Sequence, residues 1–235
     1  MVAFDNVGPS SAGQGTTTSP LAWSHTVNTG PAWLLVAFNV DGPNVSYVAP
    51  TVTCDSVAMT EVGHVQPSGV TGTYLAVWYT SGLASGSHSI SCAYTAGGLV
   101  DMEGGSLSFT GVQGLGSPVT AQGVSATVTD TAGNIVAGFC GCGNDITATP
   151  GTSRFLNNFE HGNGGFLGNI SGVTQTATGS DTLTWTTSAS SNSQAALLVE
   201  VQGAAIGPAL PPQEMGQRMV TVVSNAGWRG AQHSR

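Results

Sequence analysis

Apolar and polar residues alternate with a period of two along many short segments of the chain, and a helical spacing never persists beyond about one turn. Gly, Ser and Thr interrupt every longer window, and turn sequences such as DGPN, SGLASG and TAGN separate the segments. Strands are predicted at Val2–Val7, Leu21–Val27, Ala32–Val40, Thr51–Cys54, Met59–Val65, Tyr74–Tyr79, His88–Thr95, Gly105–Phe109, Val124–Thr129, Asn134–Cys140, Phe166–Ile170, Val173–Ala177, Thr182–Thr187 and Ala195–Val201. This pattern predicts an all-β, jelly-roll-like antiparallel β-sandwich.

Two stretches of the chain are similar to each other: LAWSHTVNTGPAWLLVAFNV at 21–40 and LTWTTSASSNSQAALLVEVQ at 183–202. Each begins with Leu-x-Trp and ends in a Leu-Leu-Val strand. The Leu-Leu-Val strands are predicted to be central and buried on both faces, with the Leu-x-Trp strands as their partners. Two copies are too few for a repeat array, so the similarity indicates two similar hairpins in one sandwich.

The composition changes after Gly207, where GPALPPQ introduces three prolines that favour an extended, semi-rigid chain. We therefore predict one sandwich domain over residues 1–206 and an extended C-terminal arm over residues 207–235. The arm holds three of the four Arg residues of a chain that has no Lys, together with the apolar run MVTVV.

The arm can form one strand, and a single strand cannot satisfy its own backbone hydrogen-bonding groups. Addition to an exposed sheet edge of a neighbouring subunit would satisfy them, and the arginines would meet acidic bodies. We therefore predict an arm that binds other subunits, the alternative being a disordered tail. The residues expected to make these contacts are Arg218, Met219, Val220, Val222, Val223, Trp228, Arg229 and Arg235.

The charge balance narrows the classes of partner. Charged residues make up 7% of the chain, the formal net charge is −8, and residues 1–153 contain no Lys or Arg. Nucleic-acid binding needs several cationic contacts to phosphates, so neither nucleic acid nor an anionic membrane is an expected partner.

The opening MVAFDNVGPSSAG lacks the basic and apolar regions of a signal peptide, and the longest apolar runs are too short to span a membrane. Release with a virus particle is one route that fits.

The four cysteines have several possible roles. Cys54 and Cys92 lie in strand-like stretches and could face each other, whereas Cys140 and Cys142 are separated by one residue, closer than the usual spacing in zinc sites. Buried structural thiols are favoured, and a disulfide and a metal site stay open as alternatives.

Sequence motifs of common enzymes are missing: there is no Gly-x-Ser-x-Gly elbow, Walker loop or His-Glu-x-x-His. Glu160 and His161 lie in a Gly-rich segment and could act as an acid–base pair or bind a metal, but an exposed loop is favoured. Asp101 and Glu103 share one face of a strand and could serve glycoside hydrolysis or calcium binding, but a solvated strand edge is favoured. No catalytic residue, cofactor or metal is predicted.

The remaining candidates are histidines and aromatic residues in predicted strands. His25 and His88 alternate with Ser and Thr and are expected at the surface. Core packing is favoured for the tryptophans, and a sugar-stacking platform of exposed Trp and Tyr side chains is the alternative. The tryptophans concerned are Trp23, Trp33, Trp78 and Trp185, and Tyr74 and Tyr79 could belong to either face.

Several of these segments follow one another in the order WLLVAFNV, VTCDSVAMTEVG, YLAVWYTSGLASGSHSISCAYT and GGSLSFTGVQGLGSPV. They resemble a jelly-roll-like β-sandwich of secreted bacterial proteins and of accessory virion proteins of tailed phages, especially actinobacterial phages. The resemblance covers residues 3–120 well, residues 121–206 loosely, and the arm not at all. Asp55-Ser56 replaces the Gly-Gly turn usual in that family, so a looser turn is expected there.

The resemblance implies a non-enzymatic structural protein on the surface of a phage particle, either a capsid decoration or minor capsid protein or a minor tail protein. Its expected partners are other virion proteins, such as major capsid or tail proteins, and copies of itself, with a host-surface glycan as a further possible ligand. The alternative function is a carbohydrate-binding module or adhesin that recognises cell-wall glycans through exposed aromatics.

Overall fold

The computed structural model describes residues 1–9, 14–16, 19–42, 48, 50–66, 73–95, 100–160, 167–189 and 194–204. In these ranges the chain is all-β and every strand pair is antiparallel, which confirms the predicted class of antiparallel β-sandwich. No helix in this part of the chain has the length and apolar character that a membrane span requires. The predicted arm over residues 207–235, with all of its candidate contact residues, lies outside the described residues.

The first half of the chain folds into two sheets. Its strands are β1 (Ala3–Gly8), β2 (Gln14–Thr16), β3 (Leu21–Val27), β4 (Ala32–Asp41), β5 (Thr51–Cys54), β6 (Val57–Ala58), β7 (Thr60–Val65), β8 (Thr73–Leu83), β9 (Gly86–Ala93) and β10 (Asp101–Thr110). The first inner sheet has the order β1-β10-β4-β8-β7, with β2 also paired to β10. The first outer sheet has the order β3-β9-β5-β6.

The second half uses the same plan. Its strands are β11 (Val112–Leu115), β12 (Val119–Gln122), β13 (Ser125–Thr129), β14 (Ile135–Cys142), β15 (Ile146–Ala148), β16 (Thr152–Glu160), β17 (Leu167–Thr176), β18 (Ser180–Thr184), β19 (Thr186–Thr187) and β20 (Gln194–Gly203). The second inner sheet has the order β11-β20-β14-β17-β16, with β12 also paired to β20. Two separate pairs, β13-β18 and β15-β19, form the second outer layer.

The side-chain alternation of the central strands stacks these sheets into four layers. Leu34 of β4 packs toward the first outer sheet, whereas Leu35 packs against the second inner sheet. Leu197 of β20 packs against the first inner sheet, and Leu198 packs toward the second outer layer. Both Leu-Leu-Val strands are therefore buried on both faces, as predicted, and each fully buried leucine contributes about 1.5–3 kcal/mol of apolar burial.

Corresponding strands occupy corresponding places in the two halves: β4, β8 and β10 match β14, β17 and β20 in the order of the inner sheets. The sequence keeps a trace of this correspondence, since GSHSISC at 86–92 and GSDTLTW at 179–185 share Gly-Ser followed by alternating hydroxyl and apolar residues. Gly86 and Gly179 both have positive φ, at 135° and 118°, which a residue with a Cβ rarely adopts. The two halves are two copies of one topology.

The predicted pairing between Leu-x-Trp and Leu-Leu-Val strands is wrong. Strand β3, which holds Trp23, pairs with β9 in the outer sheet, and β18, which Trp185 follows, pairs with β13. The reason lies in the burial pattern. Strands β3 and β18 alternate buried and exposed residues, so each has one apolar face and can only cover an inner sheet, whereas β4 and β20 have two apolar faces and lie inside.

The predicted break between strands at Phe166–Ile170 and Val173–Ala177 is also wrong, because β17 passes through Ser171 and Gly172 without interruption. A Cβ on Gly172 would overlap the ring of Phe155, which packs into the core between the inner sheets. The glycine is thus a packing requirement inside a strand and not a turn.

Candidate functional site

Two aromatic side chains stack face to face at the rim of the interface between the inner sheets. Trp33 of β4 and Tyr79 of β8 have ring centroids 5.4 Å apart and an interplanar angle of 8°. Both side chains are half-buried. The other tryptophans in predicted strands, Trp23, Trp78 and Trp185, are buried in the core. Trp33 is therefore the one of these four that keeps part of its ring at the surface.

The stacked pair lines a cleft of about 310 Å³ at the junction of the two halves, which is at the small end of the range for ligand pockets. Its lining residues are Trp33, Thr60, Glu61, Val62, Tyr79, Leu115, Gly116 and Pro118. Glu61 also contacts His64, with Oε1 and Nδ1 2.6 Å apart. An aromatic surface beside a carboxylate can stack on a sugar ring and accept hydrogen bonds from its hydroxyl groups.

A cluster of four polar side chains lies between the two inner sheets. Asp101 and Glu103 of β10 face Asp41 and Asn39 of β4 in register, and all four are buried. Asp101 and Glu103 share one strand face, as predicted, but the expected solvated strand edge is wrong. Strand β10 lies inside the first inner sheet with partners on both sides, and the second half covers the face that carries these carboxyl groups.

Burial governs the protonation of Glu103 and Asp41 in this cluster. It raises the pKa of Glu103 well above its ordinary value, although Asn39 Nδ2 donates a hydrogen bond of 3.0 Å to Glu103 Oε2. Burial also raises the pKa of Asp41 to about 6, against the hydrogen bonds that Thr73 Oγ1 and Gly42 N donate to Oδ1, each 3.0 Å. Burial therefore favours the protonated form of Glu103. A carboxyl group enclosed in this way can pack between sheets but cannot exchange protons with a substrate at the surface.

His25 lies inside the first sandwich, so its predicted surface position is wrong. It is fully buried, and its Nδ1 lies 2.8 Å from Ser106 Oγ, which also accepts a 3.0 Å hydrogen bond from Trp23 Nε1. Burial lowers the pKa of His25 to about 4, so the imidazole is neutral at physiological pH. The hydroxyl-rich pattern around it misled the surface prediction, because Ser106 is itself a core residue.

His88 lies opposite His25 on the inward face of the outer sheet, and only 12% of its side chain is exposed, contrary to its predicted surface position. Its Nδ1 is 2.7 Å from Asp55 Oδ2, and its Nε2 is 2.9 Å from the carbonyl oxygen of Ala84. Although burial lowers it, these hydrogen bonds raise the pKa of His88 above its ordinary value. The bond from His88 also lowers the pKa of Asp55.

The turn that carries Asp55 is tighter than predicted. Asp55 and Ser56 both have positive φ, at 49° and 67°, which fits the two-residue hairpin turn that joins β5 to β6. Ser89 N donates a 2.8 Å hydrogen bond to Asp55 Oδ1, and Asp55 N donates one of the same length to Ser89 O. The side chain of Asp55 thus pins the turn to β9.

All four cysteines are buried and free of disulfide bonds. Cys54 lies opposite Ile90 and Cys92 lies opposite Val52, so the first two thiols are offset along neighbouring strands. Burial raises the pKa of Cys54 to about 11 and raises that of Cys92 further. Neither thiol has the lowered pKa that a nucleophilic cysteine needs.

The other acid–base candidate cannot be placed. Glu160 ends β16, but its side chain and the whole of His161 lie outside the described residues.

The only arginine in the described ranges, Arg154, lies over the ring of Phe4 at 3.7 Å and donates a 2.7 Å hydrogen bond to Thr174. This cation joins the second half to β1 of the first half.

Sequence reasoning did not foresee three features: the stacking of Trp33 on Tyr79, the part of Asp41 in the buried carboxyl group, and the contact of Asp55 with His88. For Asp55 a signal existed, because Asp55-Ser56 lies between the predicted strands Thr51–Cys54 and Met59–Val65, where a turn is expected. No protein-family model, curated protein or solved structure matched the chain.

Proposed function

We propose that the chain is a non-enzymatic structural protein of a tailed-phage particle, serving as a capsid decoration or minor capsid protein or as a minor tail protein. The resemblance of residues 3–120 to accessory virion proteins supports this proposal. The segments that carry the resemblance are strand and turn positions: WLLVAFNV belongs to β4, and YLAVWYTSGL belongs to β8.

The observation that carries the proposal is the enclosure of reactive candidates within a four-layer body. Asp101 and Glu103, which could have served hydrolysis, pack between two inner sheets. The thiol of Cys92 is fully buried, and burial raises its pKa far above the ordinary value. These buried candidates are used in packing, as expected of a protein whose task is to hold a rigid shape.

The edge strands of the inner sheets suit contacts with neighbouring subunits. Strand β16 (Thr152–Glu160) ends the second inner sheet, and β7 (Thr60–Val65) ends the first, each with one paired neighbour in the described topology. An edge strand offers unsatisfied backbone N–H and C=O groups to a further strand. The apolar run at 219–223 in the arm of a neighbouring copy has the composition to add to such an edge.

The test compares the full chain with a chain truncated after residue 206, during assembly of particles by the phage genome that carries the gene. We expect mass spectrometry and electron microscopy to detect the full chain on purified particles and to show loss of the truncated chain. The full chain with Trp33→Ala serves as a control with an intact arm and should be incorporated. A truncated chain that is incorporated as well as the full chain would exclude the role of the arm, and absence of the full chain from particles would refute the proposal.

The cleft at Trp33 and Tyr79 favours a second candidate function, the binding of a cell-wall glycan. Its stacked rings lie beside the carboxylate of Glu61 in a space of about 310 Å³, which suits one or two sugar units. Aromatic stacking supplies the affinity in such sites, and a carboxylate selects among hydroxyl orientations.

A glycan array and titrations with purified cell-wall fragments test this second function. We expect Trp33→Ala to reduce affinity at least tenfold, which corresponds to about 1.4 kcal/mol. Tyr79→Phe keeps the ring that stacks on Trp33 and should retain binding. Equal binding by Trp33→Ala and the unaltered chain, or no binding of any glycan, would exclude this function for the cleft.

A further inference from the structure

Three potential metal ligands converge where the β5–β6 turn meets β9. They are the thiol of Cys54, the carboxylate of Asp55 and the imidazole of His88, and one ligand atom from each lies within 4.8 Å of the others. Cys54 is the last residue of β5 and Asp55 is the first residue of the turn. His88 lies two residues from Ile90, the cross-strand partner of Cys54. The backbone of two neighbouring strands therefore holds the three donors together.

The hydrogen bonds of His88 leave the nitrogen next to Asp55 as the ligand. The carbonyl oxygen of Ala84 can only accept, so Nε2, 2.9 Å away, carries a proton. Nδ1 then points toward Asp55 Oδ2 at 2.7 Å, and a proton shared with that carboxylate is what a metal ion would displace. A histidine that donates its second ring N–H to a backbone carbonyl is the usual arrangement around a bound metal.

Hydrogen bonding also orients the carboxylate of Asp55 for binding a metal ion. Its Oδ1 accepts the 2.8 Å hydrogen bond from Ser89 N, which fixes the carboxylate plane and leaves Oδ2 directed at His88. Its backbone adopts φ of 49°, a conformation that Asp tolerates better than most residues with a side chain. The side chain of Asp55 is about half exposed, at 49%, so water can reach the position in front of Oδ2.

The donor set selects the ion. One sulfur, one nitrogen and one oxygen ligand suit zinc, which takes four ligands in tetrahedral geometry. Typical zinc–ligand bonds put the ligand atoms roughly 3.3–3.8 Å apart. The three ligand atoms lie within 4.8 Å of one another, and Nδ1 and Oδ2 are 2.7 Å apart, so small side-chain movements that admit the ion would bring all three to these distances. Calcium and magnesium prefer sets of oxygen ligands and fit this cluster poorly.

We propose that Cys54, Asp55 and His88 form a zinc site, with water as the fourth ligand, that fastens the β5–β6 turn to β9. The site is independent of the proposed particle role and of the aromatic cleft. Zinc would add three metal bonds to a turn that the Asp55–His88 contact and the hydrogen bonds with Ser89 already hold to β9. The rest of the sandwich would remain as it is, because the three ligands already come from adjacent strands.

The experiment uses the full chain, freed of metal with a chelator and titrated with Zn²⁺ and with Co²⁺ as a spectroscopic substitute. We expect one equivalent of Zn²⁺ to bind in competition with a chromogenic chelator. The Co²⁺ form should show a thiolate-to-cobalt charge-transfer band and the visible absorption of a tetrahedral ion. Cys54→Ser should abolish the charge-transfer band and lower Zn²⁺ affinity at least tenfold.

Two further variants keep the test decisive. Asp55→Asn changes an exposed ligand and keeps an oxygen for Ser89 N, so it reports on the site even if Cys54→Ser folds poorly. It should lower Zn²⁺ affinity and remove the zinc-dependent rise in Tm. His64→Gln alters the other His–carboxylate contact, with Glu61, and Cys92→Ala removes a neighbouring thiol. Both should bind zinc like the unaltered chain.

Failure to bind one equivalent of Zn²⁺ would overturn the proposal, and so would a charge-transfer band that persists in Cys54→Ser. Zinc affinity unchanged in Asp55→Asn would also overturn it and would leave Asp55 and His88 as a metal-free clamp on the turn.

Discussion

Glu103 and Gly168 face each other across the interface of the two inner sheets, and the carboxyl group of Glu103 fills the place where a side chain at position 168 would lie. Gly168 belongs to β17 of the second half, and Glu103 belongs to β10 of the first. The absence of a Cβ at 168 is therefore what allows a glutamate to be enclosed between the halves.

Gly168→Ala is expected to lower the free energy of unfolding by about 2–3 kcal/mol, because the new methyl group must displace a side chain in a packed interface. Gly114→Ala is the matched control: its Cβ would meet Gln202 at 3.6 Å, an ordinary contact, so its effect should stay within about 0.5 kcal/mol. Denaturant unfolding measures both. If Glu103 is the obstacle, Gly168→Ala will cost less in a Glu103→Ala background. Equal costs in the two backgrounds would contradict this explanation.

Stability should fall as pH rises through the range from about 4 to 6. Burial raises the pKa of Asp41 in the folded state from 3.8 to about 6, so folding favours the protonated form. The contribution of this group is complete below pH 3.8 and is lost as the pH passes 6. The loss is about 3 kcal/mol, at about 1.4 kcal/mol for each tenfold change in the protonation equilibrium. Urea unfolding across this range measures it.

Asp41→Asn tests the assignment of that pH dependence, since the amide oxygen can still accept the hydrogen bonds from Thr73 and Gly42. The negative charge of Asp101 also raises the pKa of Asp41, whereas the hydrogen bonds from Thr73 and Gly42 lower it. We expect the variant to be more stable than the unaltered chain at pH 7 and to show a flatter profile between pH 4 and 6. An unchanged slope in Asp41→Asn would assign the effect to another group.

Ser56→Gly should raise the free energy of unfolding by about 1 kcal/mol, because Ser56 adopts φ of 67° in a turn where glycine has no steric penalty. Asp55→Gly gives the opposite expectation. It relieves a similar backbone cost but removes the hydrogen bonds to Ser89 and His88, so a net loss of stability should result. Thermal and denaturant unfolding distinguish the two. A stabilised Asp55→Gly would show that these hydrogen bonds contribute little.

Trp185→Phe is expected to cost about 2–3 kcal/mol, because it leaves a cavity and deprives Ser171 of the 3.1 Å hydrogen bond from the indole Nε1. Both side chains are buried. Adding Ser171→Ala removes the hydroxyl left without its indole partner and should recover about 1 kcal/mol, which equilibrium unfolding of the single and double variants can resolve. Trp33→Phe, at a half-buried position, should cost less than about 1 kcal/mol.

Strands with one apolar face could be predicted from the sequence with the greatest accuracy. Strands β3 (Leu21–Val27) and β5 (Thr51–Cys54) match their predicted bounds, since alternation and turn residues mark both ends. Strand β16 (Thr152–Glu160) was missed. It is an edge strand in which the polar residues Arg154, Asn157 and Asn158 interrupt the apolar pattern. Its place in the sheet depends on pairing with β17. Such pairing is a property of the sheet and not of the segment.

The candidate sites depended even more on tertiary structure. The spacing of Asp101 and Glu103 correctly placed both on one strand face, but only the covering of β10 by the second half determines that this face is buried. The same reason explains the error at His25, whose hydroxyl-rich neighbours indicate a surface until Ser106 is known to face it. Contacts between residues far apart in sequence, such as Trp33 with Tyr79, have no local signal.

The repeated strand order suggests how a chain of this kind could arise. Each half presents one apolar inner sheet to the other, so a polypeptide with a single set of strands would leave that face bare unless a second copy covered it. Joining two copies in one polypeptide fixes their ratio at one to one and makes their association independent of concentration. Selection could then alter the outer layers separately, and they do differ: the first is one four-stranded sheet, and the second is two short pairs.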